Sequence, residues 1–393
     1  MGYIEAETAI VFGRVVHGFR MRWREDLWAK TLVVPGFSDG HAHPQVVDPG
    51  AGVGARRWRD SYHWLSTRRL RVDEASLRAD LRLSSRLAEL TFARALLEGV
   101  TLIAVTGRLE ANVEGWLRLG GAPRAVFLPT VMDRRGWPSV GEVAVAARRI
   151  RRLLADGLAR VGVFVHSLGT ARPESVRAAM SFAASERTVM GMHLSEGVAE
   201  AGRLREVLGP GPYPVRIAAV HCTESEDLPG GVYCVSCPLS NIILYGRTRK
   251  SLSGVLAFGS DWPLLLGTVP RHLSLPLSLS PGSLDSVLYR ATMGGYRIYN
   301  MPFQGDFAAY DEGVERVLMG KARPRFVAVA GRMVVDEGRL AARGYSLAEV
   351  EAMIADAIAE AFEEHGLGDV KPRVAAREAL SLTRRALLEA PAP

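Results

Sequence analysis

Between residues 32 and 260 the chain alternates short apolar runs with stretches of helical period, and few folds accommodate that pattern. The runs lie at 32–34, 99–105, 124–130, 161–166, 188–193, 215–221, 232–236 and 255–260. Each reads as a strand buried in a parallel sheet. Residues 76–98 carry an amphipathic helix, and apolar residues recur at 143, 146/147, 150, 153/154 and 158, which is also helical spacing. Residues 172–186 read as a helix opened by Pro173. Eight strands, most separated by helices, over about 250 residues predict a (β/α)8 barrel. Outside it the pattern changes. Residues 1–30 hold short β-like pieces at 8–12 and 14–16, and 325–338 read as a hairpin turning at Gly331-Arg332. The expected organisation is a small discontinuous β-domain from 1–30 and 320–345 and a barrel over 31–319. A helical extension over 346–393 follows, opened by a cap at Ser346 and broken at 366–372.

Composition narrows the function classes. The net charge of +7 comes almost wholly from arginine, since lysine occurs only at 30, 250, 321 and 371. Those arginines are spread along the chain, many in helical pairs such as Arg148-Arg149 and Arg151-Arg152. This is a solvated helix face, not an aromatic-interleaved basic stripe, so no nucleic-acid partner is expected. No apolar run reaches about 18 residues, so no membrane span is expected. Three cysteines, Cys222, Cys234 and Cys237, give no disulfide framework, and the first residues lack a basic leader. Both fit a cytoplasmic protein. Cys234 and Cys237 have no second pair and read as structural. Scarce Asn and Gln are a thermophile-like signal.

The chemistry-bearing residues fall at one place in the repeat. His41 and His43, His166, His193, His221 and Asp261 each end a predicted strand. On a strand, residues i and i+2 face the same way, so His41 and His43 project together as a metal half-site. In a (β/α)8 barrel the C-terminal strand ends converge on one pocket, which is where catalytic residues sit.

Several segments carry a family resemblance. They are Pro35-Gly-Phe-Ser-Asp-Gly-His-Ala-His43, Met192-His-Leu-Ser-Glu196, Val220-His-Cys222, Cys237-Pro-Leu-Ser-Asn241 and Gly259-Ser-Asp261. In this order they resemble the amidohydrolase superfamily of metal-dependent hydrolases, most closely its mononuclear deaminase and chlorohydrolase-like branch. The resemblance implies one divalent metal, zinc with iron or manganese as alternatives, held by His41, His43, His193 and Asp261. It implies a metal-bound hydroxide oriented by His221, with Asp261 accepting its proton. Glu196 would protonate a ring nitrogen and shuttle a proton to the leaving amine, and His166 would contact substrate. Asp39 is expected to orient the first strand or a ligand. The implied activity is deamination of a purine, pyrimidine or related nitrogen heterocycle. The alternatives are hydrolysis of a cyclic amide or imidazolone ring, or a degenerate barrel that only binds. The segment 305–314 departs from the family's Gly-Lys-x-Ala-Asp-rich turn, and Trp262-Pro263 follows Asp261 in place of a small residue. Both bear on the substrate more than on the metal. The loop after the first strand holds Arg56, Arg57, Trp58, Arg59, His63 and Trp64. Trp58 and Arg59 are expected to meet the substrate by stacking or ion pairing, against the plainer reading of solvated loop arginines. A homo-oligomer is left open.

Overall fold

The computed structural model describes residues 2–23, 26–28, 31–50, 57–154, 157–279 and 284–382. Its centre is a parallel barrel. The strands run in order through Phe37–Ala42, Val100–Gly107, Arg124–Val131, Val163–Val165, Met190–Leu194, Ile217–His221, Val232–Ser236 and Val255–Phe258. Ala159–Val161 is a separate piece paired only with Arg124–Val131. The last strand meets the first through a parallel bridge between Ala42 and Asp261. This is the (β/α)8 architecture that the alternation predicts.

Two apolar layers explain why the strands carry no polar face. Leu102, Ala104, Val126, Leu128, Phe164, Ala218, Val220, Val235 and Ala257 fill the barrel interior. Their neighbours Ile103, Val105, Phe127 and Val165 point outward to the helices. Helix Leu81–Leu97 buries most of its length in that outer layer. The expected single helix over 76–98 is two, Glu74–Ala79 and Leu81–Leu97, because Asp80 ends one and caps the next by accepting from the Leu83 amide. Helix Leu347–His365, opened by a Ser346–Glu349 capping box, packs on Leu81–Leu97. Arg82 and Arg86 pair there with Glu360, and Arg82 also with Glu364. No helix among the described residues is long and apolar enough to cross a membrane.

The second sheet corrects the sequence reading in four places. Its order is Arg339–Leu340, Arg332–Asp336, Phe326–Val329, Phe307–Tyr310, Leu32–Val34, Gly2–Val11 and Arg14–Trp23. Leu32–Val34, read above as the first barrel strand, pairs instead with Thr8-Ala9 and with 308–310. The first barrel strand starts at Phe37. Phe307–Tyr310, expected inside the barrel segment, also joins this sheet. A short strand buried on both faces has no polar side to reveal which sheet it serves. The second N-terminal strand is a largely exposed edge that spans ten residues, Arg14–Trp23, where the reading above has only 14–16; the alternation Phe19-Arg20-Met21-Arg22-Trp23 was its signal. The hairpin turns at Ala330 and Gly331, with φ of 49° and 75°, one residue earlier than expected. Two positive φ values make this a type I′ turn.

A buried ionic knot locks the bottom of helix Leu81–Leu97. Glu98, 2% exposed, accepts from the Thr268 amide and hydroxyl, both at 2.7 Å, and from Arg94 Nε at 3.1 Å. Burial alone would raise its pKa, but the Arg94 and Arg271 charges and the Thr268 hydrogen bonds outweigh that and lower it. A lowered carboxylate pKa means stability that is present above the unfolded value of 4.5 and lost as pH falls through the folded one. Glu98→Ala removes the buried partner of Arg94, leaving among the described residues only the partly exposed Glu351 at 3.3 Å, and is expected to cost about 3–5 kcal/mol in urea unfolding at pH 7. The variant should also lose less further stability than the wild type when the titration is repeated below pH 4.5.

Candidate metal centre

The barrel brings the strand-end residues to one point. The Nε2 atoms of His41 and His43 lie 2.9 Å apart, and that of His193 lies 3.3 Å from each. Asp261 Oδ1 stands 3.6 Å from His41 Nε2 and 3.4 Å from His43 Nε2. All four residues are buried or nearly so. Burial lowers the pKa of each of the three histidines, so all are neutral at pH 7. The Asp261 carboxyl is held below the usual range: burial opposes this, but the neighbouring His41, His43 and His221 side chains prevail.

The tautomer follows from the hydrogen bonds. Thr106 donates its hydroxyl proton to the Ala42 carbonyl at 3.2 Å, so the same oxygen accepts from His43 Nδ1 at 2.8 Å. His43 Nε2 therefore carries a bare lone pair aimed at the other imidazoles. Neutral imidazole nitrogens crowded within 3.3 Å, beside a carboxylate, match the donor set of a divalent cation. His41, His43, His193 and Asp261 fit the group that the family resemblance implies.

Backbone strain makes the convergence possible. Ser195, His221, Cys222 and Asp261 have φ of 58°, 78°, 45° and 65°, a region costly for residues with a Cβ. Each sits where a strand turns into the site. The bends are held by Cys222 N donating to Leu194 O at 3.2 Å, Thr223 N to Ser195 O at 2.9 Å and Asp261 N to His41 O at 2.9 Å. Gly259 lets the first and last strands approach: a Cβ there would stand 2.9 Å from both His41 Cβ and Cys237 Sγ. Asp39 is placed as a brace. Its Oδ1 accepts from Ser260 N at 2.9 Å and His41 N at 3.3 Å, and burial raises its pKa to about 7.

Beside the histidines sits a second buried pair. His221 Nε2 lies 3.5 Å from Glu196 Oε1, and burial raises the Glu196 pKa. Two residues of helix Pro238–Tyr245 set this pair. Asn241 Oδ1 accepts from His221 Nδ1 at 2.8 Å, and the Tyr245 hydroxyl donates to Glu196 Oε1 at 2.6 Å. Asn241 Nδ2 donates to Thr248 Oγ1 at 3.3 Å. Asn241 and Tyr245 stand four apart on one helix, so they share a face. The sequence reading quoted Asn241 without a role and passed over Tyr245; the signal was a tyrosine one helical turn beyond Cys237-Pro-Leu-Ser-Asn241.

A cavity of about 180 Å³ opens over the site. His43, His193, Glu196, His221 and Asp261 form its floor, and His166 lies on its wall. Burial pushes the His166 pKa down to about 3, helped by the charges of Arg68 and Arg134. Trp64 and Trp262 line one side, Arg78 and Trp137 another. Trp58 and Arg59 do not line it. The Trp58 indole N–H donates to Thr67 Oγ1, and Arg59 turns to solvent, 79% exposed, pairing with Asp60. The short helix Ser61–Thr67, capped by Asp60, sends Trp64 inward in their place. Arg56 lies outside the described residues. Cys222, Cys234 and Cys237 are buried free thiols.

No family model matches the sequence, and no curated protein does. Solved structures do share the fold. The structure of atrazine chlorohydrolase TrzN from Arthrobacter aurescens TC1 complexed with zinc aligns with a TM-score of 0.72 and 15% identity, over 91% of this chain and 100% of that one. An amidohydrolase from Brucella melitensis aligns at 0.71 and 16%, over 92% and 100%. An adenosine deaminase from Xanthomonas campestris with bound zinc gives 0.71 and 16%, over 92% and 98%.

The Thr106 contact fixes the His43 tautomer, and such a contact to a metal-holding histidine typically carries about 10–100-fold in metal affinity. Thr106→Val is expected to weaken zinc binding by that factor, read by competition with a chromophoric chelator, without loss of the folded state.

Proposed function

We propose that the chain is a metal-dependent aminohydrolase that removes an amino group from a nitrogen heterocycle. The observation that carries this reading is the buried Glu196–His221 pair beside the imidazole cluster, at the floor of one cavity. The fold shared with zinc-bound hydrolases of heterocycles supports it.

His41, His43, His193 and Asp261 would hold the metal. A divalent cation there supplies Lewis acidity, lowering the proton affinity of an oxygen nucleophile. The remaining work falls to side chains. With Nδ1–H tied to Asn241, His221 presents its bare Nε2 to the cavity floor and orients the nucleophile's proton. Asp261, ionised and buried, is the proton acceptor. Glu196 Oε1 is occupied by Tyr245, while Oε2 has no hydrogen bond among the described residues. Oε2 is therefore the atom that meets a ring nitrogen. A carboxyl whose pKa burial raises is suited to donate a proton there as water adds to the adjacent carbon. The proton taken by Asp261 then passes to the leaving nitrogen, ammonia departs as the carbon–oxygen double bond forms, and the proton left on the added hydroxyl returns to Glu196. His166, neutral at pH 7, offers one ring nitrogen to substrate while Nδ1 lies 3.2 Å from the Thr170 hydroxyl.

The test is ammonia release by zinc-, iron- and manganese-loaded protein from amino-purines, amino-pyrimidines and amino-triazines. Turnover is expected, and Glu196→Gln should lower kcat by about 10²–10⁴-fold, the usual contribution of a positioned acid–base group. Release unaffected by Glu196→Gln would remove the deaminase assignment. Ring opening of a cyclic amide without ammonia would move the reading to ring hydrolysis.

A further inference from the structure

A second cavity of about 650 Å³ adjoins the first at the ends of strands Val100–Gly107 and Arg124–Val131. The two share four wall residues: Arg78, Gly107, Thr130 and Trp137. Gly107 and Thr130 contribute the base of that wall, tied by Gly107 N donating to Thr130 Oγ1 at 3.0 Å. The upper part is a stack. The Arg78 guanidinium lies 3.5 Å from the centre of the Trp137 ring and donates to the Gly136 carbonyl at 2.7 Å. Among the described residues the Arg78 side chain forms no ion pair, and it holds the Trp137 ring and the Gly136 carbonyl. Half-burial lowers its pKa, yet it stays a cation, which suits the ring face.

We infer that the Arg78–Trp137 stack is a size filter that confines the substrate to a base-sized heterocycle without a bulky substituent. The inner cavity, about 180 Å³, is smaller than the roughly 300–1,000 Å³ of sites for drug-sized ligands. It has room for one ring system over the Glu196–His221 pair. The 650 Å³ beyond the stack has room for a sugar or an aryl arm, but the stack stands between that space and the metal ligands. A substrate with such an arm would have to break the cation–π contact and the Gly136 hydrogen bond to enter. Both partners come from short segments outside the barrel strands, helix Glu74–Ala79 and the loop at 133–138, so the filter is set independently of the catalytic floor.

This inference rests on the metal-site reading above, and its test is chosen to separate the two. Cobalt(II)-loaded protein is titrated with imidazole and with 1-benzylimidazole, following the visible absorption of the metal, in wild type, Trp137→Ala, Trp137→Phe and Arg78→Ala. The wild type is expected to bind imidazole and to discriminate against the benzyl derivative. Trp137→Ala and Arg78→Ala should each shift the affinity ratio toward 1-benzylimidazole by about tenfold or more, as removal of a steric wall does. Trp137→Phe, which keeps an aromatic face, should restore most of the discrimination. Equal ratios in all four proteins overturn the filter and leave the metal site standing. A wild-type protein that takes up no cobalt overturns the metal reading, and the filter with it.

Discussion

The site depends on how the barrel closes. The first strand ends in His41-Ala42-His43 and the last leads into Asp261, and these segments are joined by their own backbone. Asp261 N donates to His41 O and His43 N to Asp261 O, at 2.9 and 2.7 Å. The hydrogen bonds that complete the cylinder are thus made by the residues whose side chains converge. Asp39 adds a third tie, since one carboxylate oxygen takes the amides of Ser260 and His41. Closure and the geometry of these side chains cannot vary separately.

From that seam the rest of the centre is built by short-range consequences. His193 arrives from the fifth strand with its ring 5.1 Å from that of His41. The turns after it and after His221 are bent through left-handed backbone at Ser195, His221 and Cys222. Such residues cost about 1–3 kcal/mol each and persist only where surrounding bonds over-determine them. Here the Ser195 amide is held by Glu200 Oε2 at 2.9 Å, and its carbonyl accepts from Thr223 Oγ1 at 2.8 Å. Stability elsewhere, in the packed helices and the Glu98 knot, carries this local cost. The electrostatics follow the same logic: burial keeps the imidazoles neutral and raises Glu196, while Asp261 stays charged among them. One cavity floor therefore offers lone pairs, a charge and a protonatable carboxyl side by side.

The cavity walls are a separate layer. Trp64, Trp137 and Trp262 come from loops and short helices. The floor is fixed by strands and the walls by segments that can vary without disturbing it.

The sequence by itself determined the barrel and the floor. Strand-and-helix alternation is written in local periodicity, and His41, His43, His193, His221, Glu196 and Asp261 declare themselves by chemistry and by position at strand ends. Tertiary structure decided what depends on contacts distant in the chain. Leu32–Val34 belongs to the second sheet because its partners are residues 8–9 and 308–310, and three buried apolar residues look the same in either sheet. Trp58 turns to Thr67 while Trp64 enters the cavity, because the Asp60 cap sets the phase of the helix that carries Trp64. Asn241 and Tyr245 acquire their roles only when their helix is laid against His221 and Glu196, 20 and 49 residues away. Local pattern reports which face of an element is buried. It does not report what that face will meet, and the partners of a polar side chain are fixed only when the chain has packed.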